Sequence, residues 1–227
     1  MAQVFAGPGR LTETKGILTA IVQDHHEVLY YWQDFINATL LHVDGHKDMC
    51  DEAPAFPELT PDYHEYIDIT GFICPAVHYG IVSSLYWLNP HSRIRLQDMG
   101  SKCDQARPAL NTNIDATYNL IFLEYEKGLV ITPDKIKLGK WPFILDVDLD
   151  AFSCNSYVEN VPENYNARNG YKKRIKETIE LLSTLRRPNL ITISRSQGPD
   201  GILWRHVDPE LVDKVQELFI GSLKEIY

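Results

Sequence analysis

Residues 143–150 read Phe-Ile-Leu-Asp-Val-Asp-Leu-Asp, an apolar run that ends in three alternating carboxylates. The aromatic and β-branched residues at its start predict a buried strand. Alternate residues of an extended chain share one face, so Asp146, Asp148 and Asp150 are expected to point the same way. Three carboxylates on one face repel each other, and burial increases that repulsion. A bound cation would resolve the repulsion, so this stretch predicts a metal site.

Similar apolar runs recur along the chain. Strands are predicted at Ile17–Val22, residues 40–43 and Leu190–Ser194. A hairpin is predicted from residues 120–124 and 129–132, because a Gly-containing turn separates these two runs.

Helical patterns lie between the strands. They are predicted at residues 28–35, 72–88 and 175–185, and a last helix is predicted from Asp208 and Pro209 onward. The expected apolar face of that last helix consists of Leu211, Val215, Leu218 and Phe219. Strands that alternate with helices predict an α/β fold in a single domain over residues 1–227, with helices on both faces of a mainly parallel sheet.

Two further polar clusters follow predicted strands. The sequence Asp-Gly-His-Lys-Asp comes after the second strand, and Asp44, His46 and Asp48 can converge there if the chain stays extended. His25 follows the first strand. Ligands bind beyond the carboxyl ends of parallel strands, so we expect these groups to meet at one edge of the sheet. His42 shares the alternation but lies inside its strand, where burial is expected.

The residue types in these clusters point to metal chemistry. Imidazole and carboxylate groups together suit Mn²⁺, Fe²⁺ or Zn²⁺. A pair of such ions lowers the pKa of water and so supplies a nucleophile for hydrolysis. Each cluster alone is also compatible with a solvated turn, and a single histidine with a structural role. Their occurrence at three strand ends favours a metal-dependent hydrolase.

The charge balance narrows the classes of partner. Lys and Arg total 22 against 31 Asp and Glu, which gives a formal net charge of −9. An acidic surface argues against nucleic acid and anionic membranes as partners and favours a cationic substrate. The four cysteines show no CxxC spacing, no apolar run approaches the ~20 residues of a membrane span, and residues 1–16 lack the regions of a signal peptide. These features predict a cytoplasmic protein.

Three segments resemble the metal motifs of the arginase (ureohydrolase) superfamily. They are Asp24-His25, the Asp-Gly-His-Lys-Asp run at residues 44–48, and Asp146-Val147-Asp148. The runs Gln-Asp-His-His-Glu-Val-Leu, Leu-Asp-Val-Asp-Leu-Asp-Ala-Phe and Ile-Thr-Ile-Ser-Arg-Ser, in this order, are similar to a compact branch of that superfamily. This branch includes the peptide arginases, which convert arginine to ornithine within ribosomally made precursor peptides.

The resemblance implies a three-layer α/β/α sandwich and two Mn²⁺ ions, with Fe²⁺ or Co²⁺ accepted by the same kind of ligand. By analogy Asp48 and Asp148 would be among the bridging residues, and His46 would bind the second ion. The implied ligands are His25, Asp44, His46, Asp48, Asp146 and Asp148.

The resemblance also suggests catalytic and substrate-binding residues, although the chain departs from arginases at both places. The loop with the proton-shuttle histidine does not align, so His78 is assigned to protonate the departing amine, with a buried helix histidine as the alternative. Asp48 or Asp150 would accept the proton of the attacking water. Residues 194–197 lack the carboxylate that holds the guanidinium in arginases, so Glu27 or Asp150 is assigned to substrate binding. Glu27 could instead cap its helix, and Asp150 could orient metal ligands.

The expected function is removal of urea from arginine side chains within a precursor peptide. The alternatives are an enzyme for free arginine or another guanidino compound, a related one-metal amide deacetylase, and a binding module that keeps its metals without catalysis. A homo-oligomer is compatible with the sequence.

Overall fold

The computed structural model describes residues 8–49, 69–92, 96–99, 129–197 and 206–227. The strands of this part are β1 (Arg10–Thr14), β2 (Ile17–Val22), β3 (Ala38–Val43), β4 (Val82–Leu88), β5 (Leu96–Asp98), β6 (Leu129–Val130), β7 (Phe143–Asp148) and β8 (Leu190–Ser194). The α-helices are α1 (Leu29–Trp32), α2 (Ile73–His78), α3 (Tyr171–Leu182) and α4 (Val212–Ile226). Short 3₁₀ turns lie at His25–Val28, Pro133–Lys135 and Leu149–Ala151.

The strands form one mixed sheet in the order β1-β2-β8-β7-β3-β4-β5-β6. Its centre, from β2 to β4, is parallel throughout. The outer strands β1, β5 and β6 pair antiparallel. The predicted mainly parallel sheet is therefore confirmed.

Helices cover both faces of the sheet. Along β3, Leu40 packs into the core cluster beneath α1 and α2, whereas Leu41 and Val43 pack into the cluster beneath α3 and α4. This alternation follows from the period of two along a strand. Both faces are apolar because both are covered, and the α/β sandwich is confirmed.

The prediction of one helix over residues 72–88 was wrong. Helix α2 ends at His78, the chain turns at Gly80 with φ of 72°, and residues 82–88 form β4. A strand buried on both faces lacks alternation, so an apolar run of this kind resembles a buried helix. The predicted strand at residues 129–132 is short, and it pairs antiparallel with β5. Residues 120–124, its predicted partner, lie outside the described residues.

The last helix begins later than predicted. The Asp208 side chain accepts a hydrogen bond from the Glu210 amide at 2.8 Å, and regular helix starts at Val212. Leu218 is 38% exposed rather than part of the apolar face, which consists of Val212, Val215, Phe219 and Leu223. Among the described helices, none combines the length and apolar character needed to cross a bilayer.

Candidate metal centre

The carboxyl ends of four neighbouring parallel strands form one edge of the sheet. β2, β8, β7 and β3 lie side by side, and Asp148 at the end of β7 is in register with Ser194 at the end of β8. The polar clusters that follow these strands surround a cavity of ≈ 580 Å³, which includes His25, Asp148 and Ser196 in its lining. The predicted meeting of the clusters at one edge of the sheet is thus present in the structure.

One set of donor atoms surrounds Nδ1 of His25, and we call it the His25 group. The Oδ2 atoms of Asp44, Asp48 and Asp148 lie 3.1, 2.9 and 3.2 Å from this nitrogen. Nδ1 of His25 and the Oδ2 atoms of Asp44 and Asp48 are buried and have no hydrogen-bond partner among the described residues. Orphaned polar atoms at such short separations are costly unless a cation binds between them. One nitrogen and three oxygens fit a divalent transition metal.

A second set lies beside the first, and we call it the His46 group. Nδ1 of His46 is 3.0 Å from Oδ2 of Asp150 and 3.4 Å from Oδ1 of Asp44. Nε2 of the same ring donates to the Tyr157 carbonyl at 2.7 Å. A carbonyl only accepts, so Nε2 carries a proton. Burial lowers the pKa of His46, but Asp150 and Asp44 outweigh it and raise that pKa, so Nδ1 also holds a proton that a bound cation would replace. Asp44 contributes one oxygen to each group and so connects the two groups.

The structure places Asp146 behind His25. Its Oδ2 accepts hydrogen bonds from Nε2 of His25 at 2.9 Å and from Nδ1 of His42 at 2.8 Å. Its Oδ1 accepts one from the Thr192 hydroxyl at 2.7 Å. The side chain is fully buried and is not part of the cavity lining. Of the six predicted ligands, His25, His46, Asp48 and Asp148 line the cavity, and Asp44 is buried next to them within 3.4 Å of both histidines.

The chain reaches this geometry by bending rather than by staying extended. Residues 44–46 form a bend after β3, and Asp48 adopts a left-handed conformation with φ of 52°. This conformation is uncommon outside glycine, but aspartate tolerates it better than most residues. The bend returns the Asp48 carboxylate to His25, while His46 points to Asp150. The alternation expected for residues 44–48 is therefore wrong in detail.

The close charges shift the pKa values of several groups. Burial lowers the pKa of His25, but the negative charges of Asp146 and Asp148 outweigh it and raise that pKa well above its ordinary value. Burial and the neighbouring Asp44 raise the pKa of Asp48 to about 7. The protein without metal therefore holds protons in the His25 group that the separated side chains would release.

Two predicted residues lie away from the cavity lining. His78 is the last residue of α2 and is close in sequence to Val82. Because Val82 pairs with Ala38 at the start of β3, His78 lies toward the end of the strands that is opposite the cavity. Glu27 accepts hydrogen bonds from the Gln23 and Asp24 amides at 3.0 Å each and so caps the turn that contains His25. The structure thus gives Glu27 the capping geometry that was its alternative.

Several cavity residues were missed from the sequence, among them His206 and Glu159. His206 lines the cavity, with Nδ1 2.7 Å from the Ser156 hydroxyl and 3.9 Å from Oδ2 of Asp150. Glu159 also lines it and forms an ion pair with Lys47 at 3.4 Å. Both lie in irregular segments that follow no strand pattern, so the sequence contains no periodic signal for either.

Comparisons with known proteins identify similar solved structures only. No family model and no curated protein matches the chain. A hypothetical agmatinase from Burkholderia thailandensis is 13% identical with a TM-score of 0.48, over 92% of this chain and 58% of that one. Proclavaminate amidino hydrolase from Streptomyces clavuligerus is 14% identical with a TM-score of 0.49, over 92% and 65%. Arginase from Bacillus cereus is 12% identical with a TM-score of 0.44, over 92% and 68%.

The chain spans less than two thirds of the length of the first two structures.

Proposed function

We propose that this protein is a two-metal hydrolase that removes urea from arginine side chains and leaves ornithine, with an arginine-containing precursor peptide as its substrate. The observation that supports this proposal is the presence of two adjacent donor groups, around His25 and His46, that share the buried Asp44 and lie at a cavity lined by both histidines. Each group offers one imidazole nitrogen and carboxylate oxygens.

The donor atoms fit a pair of Mn²⁺ ions, and the same atoms accept Fe²⁺ or Co²⁺. When bound, such a pair lowers the pKa of water into the neutral range and supplies the nucleophile for hydrolysis. Buried orphan atoms in the His25 group support a bound cation independently of any resemblance.

The chain's own residues would handle the protons of this reaction. Asp48 is the most exposed of the three carboxylates around His25, at 9%, and it lines the cavity, so it is placed to accept a proton from the attacking water. The leaving amine needs a proton in return. His206 lines the same cavity close to Asp150, so we assign this step to His206 rather than to His78.

A peptide substrate is supported by the groups around the cavity. Among its described lining residues there is one lysine, Lys47, which is paired with Glu159, and no arginine. The α-carboxylate of free arginine would therefore lack a dedicated cationic partner among these lining residues, whereas an arginine within a peptide has no such charge. Tyr157 lines the cavity with 72% of its surface exposed and offers an apolar contact for neighbouring peptide residues.

The test is mass spectrometry of an arginine-containing peptide incubated with the Mn²⁺-loaded protein, with urea assayed in parallel. We expect a loss of one CN₂H₂ unit per arginine together with an equal amount of urea. The Tyr157→Ala variant is expected to raise KM for the peptide and leave hydrolysis of a small guanidine unchanged. Urea from free arginine with an unchanged peptide would refute the peptide substrate.

The remaining alternatives predict different products. A one-metal deacetylase would release acetate from an acetylated amine and bind about one ion per chain. A binding module would retain the peptide without changing its mass. Either result, with no urea from any guanidine, would refute the proposed hydrolysis.

A further inference from the structure

We propose that Asp148 and Asp150 are the two metal ligands that β7 and the following turn provide, and that Asp146 is a positioning residue that holds His25 in place. The inference rests on the proposed metal-dependent function, but it concerns which side chains bind the ions. It moves the ligand pair two residues along the chain from the pair that the sequence motif implies.

The hydrogen bonds of Asp146 leave it poorly suited to bind a metal. Its Oδ2 accepts from His25 and His42, and its Oδ1 accepts from Thr192, whose hydroxyl in turn accepts from the Trp32 indole at 3.2 Å. The two nitrogens of the His25 ring face opposite ways, one toward Asp146 and the other toward Asp44, Asp48 and Asp148. The ring therefore stands between Asp146 and the remaining donors.

Asp150 has the opposite arrangement. Its Oδ2 lies 3.0 Å from Nδ1 of His46, and its Oδ1 accepts a hydrogen bond from the Gly45 amide at 3.3 Å. The 3₁₀ turn after β7 begins with the Asp150 amide donating to Oδ1 of Asp148 at 3.0 Å, which keeps the two carboxylates side by side. One oxygen each from Asp44, Asp148 and Asp150 lies within 4.8 Å of the others.

The two histidines use their two ring nitrogens in the same way. Each ring is anchored through Nε2 by an acceptor and directs Nδ1 at carboxylates that line the cavity. Histidines that bind metals commonly donate their other ring N–H to a carboxylate or a backbone carbonyl. Asp146 does for His25 what the Tyr157 carbonyl does for His46. With this assignment each donor group would offer one imidazole to an ion, and Asp44 would offer one oxygen in each group.

The test compares metal content and metal affinity in two isosteric variants, measured by elemental analysis after dialysis and by titration calorimetry with Mn²⁺. The wild-type chain is expected to bind two ions. Asp150→Asn is expected to retain one, because it removes a charged ligand from the His46 group. Asp146→Asn is expected to retain both, with affinity for one ion lowered by about 10–100-fold, the usual loss when a residue that orients a ligand is changed. One ion in Asp146→Asn and two in Asp150→Asn would overturn the assignment.

Two further measurements cover the case in which Asp146→Asn fails to fold. Thr192→Val removes one hydrogen bond from Asp146 without touching a proposed ligand, and it is expected to bind two ions with weakened affinity. Anomalous diffraction from Mn²⁺-loaded wild-type crystals is expected to show an Asp150 oxygen at a coordination distance of about 2 Å and Asp146 outside that distance. An ion bound to Asp146 would overturn the assignment, as would a wild-type chain that binds no ion.

Metal content is independent of urea release, so the two proposals fail separately. Two ions bound through Asp148 and Asp150 without urea release would refute only the proposed function. Urea release with an ion bound to Asp146 would refute only this inference.

Discussion

Asp48 and His25 lie 2.9 Å apart in a buried site, and both have raised pKa values. Burial and the negative charge of Asp44 raise the pKa of Asp48. Burial lowers the pKa of His25, but the negative charge of Asp146 helps to raise it above its ordinary value. Metal ions require the same groups in their deprotonated forms. Protons and metal ions therefore compete for the His25 group.

We predict that the metal-free protein loses stability as the pH rises from about 6.5 to 8. A histidine with a raised folded pKa stabilises the fold below its unfolded value of 6.5, and this contribution is lost as the pH rises through the folded value. Asp48, raised from 3.8 to about 7, changes stability in the same direction, because the folded state again binds more protons than the unfolded state. Urea unfolding in the presence of a chelator at several pH values measures the slope. A rise in stability over this range would contradict the account.

The Mn²⁺-loaded protein is predicted to show the reverse dependence. Deprotonation strengthens metal binding, so the added stability is expected to grow as the pH rises. The same unfolding series with saturating Mn²⁺ provides the comparison.

A further prediction compares His46, a member of the second donor group, with His26, which lies outside both groups. His46→Ala removes the nitrogen of one donor group and is expected to lower urea release by at least about a hundredfold. Changing a residue that only orients a ligand already costs up to about a hundredfold, so loss of a ligand should cost at least as much. His26→Ala is the matched control, because His26 is next to His25 but does not line the cavity. Initial rates at saturating Mn²⁺ measure both. Equal rates in the two variants would count against the assignment of His46.

At the scale of elements, the segment between the Leu149–Ala151 turn and α3 is held by one buried arginine. Arg174 donates to the carbonyls of Phe152, Ala167 and Asn169 at distances between 2.6 and 2.8 Å. These carbonyls lie at both ends of the segment that contains Tyr157, whose carbonyl anchors His46. The helix therefore supports the second donor group indirectly.

We predict that Arg174→Lys lowers the free energy of unfolding by about 2–3 kcal/mol, because one ammonium group cannot satisfy three buried carbonyls with the geometry of a guanidinium. Weaker binding of the second ion is expected with it. Chemical unfolding and Mn²⁺ titration measure these effects, and Lys172→Met on the exposed side of the same helix is the control. Stability equal to that of the control would show that Arg174 does not hold the segment.

The sequence predicted the elements with a clear pattern and failed where burial removed the pattern. The strand Phe143–Asp148 and the helix that begins at Tyr171 have plain signatures, and both are present. β4 has none, because helices cover both its faces. The edge strand β1 is too polar to stand out, and β5, between β4 and β6, is too short. Helices and strands were therefore predicted correctly where the sequence is periodic, and they were missed where it is not.

The site was predictable to the level of its segments but not of its atoms. Three strand ends rich in His and Asp were enough to place the centre at one edge of the sheet. The 3₁₀ turn at Leu149–Ala151 and the left-handed Asp48 redirect individual carboxylates, and no pattern in the sequence signals either. Alternation alone puts Asp146 and Asp150 on one face, whereas the structure places Asp146 behind His25 and Asp150 beside His46.

At the scale of the whole molecule, the donor groups join segments that follow β2, β3 and β7. A ligand that binds only the folded state raises stability, by about 2.7 kcal/mol at a hundred times its Kd. Mn²⁺ is therefore predicted to raise Tm on the order of 5–10 °C for a chain of this length, and a chelator should reverse the change. Differential scanning calorimetry measures it, with Mg²⁺ as a control ion that prefers all-oxygen sites. No change in Tm with Mn²⁺ would contradict a bound ion.

The most direct test of the account relates urea release to the number of bound ions. The metal-free protein is titrated with Mn²⁺, and bound metal and the rate of urea release from an arginine-containing peptide are measured at each step. We predict that the rate rises mainly with the second ion and reaches its plateau at two ions per chain. Full activity at one ion, or no urea at two, would contradict a two-metal hydrolase.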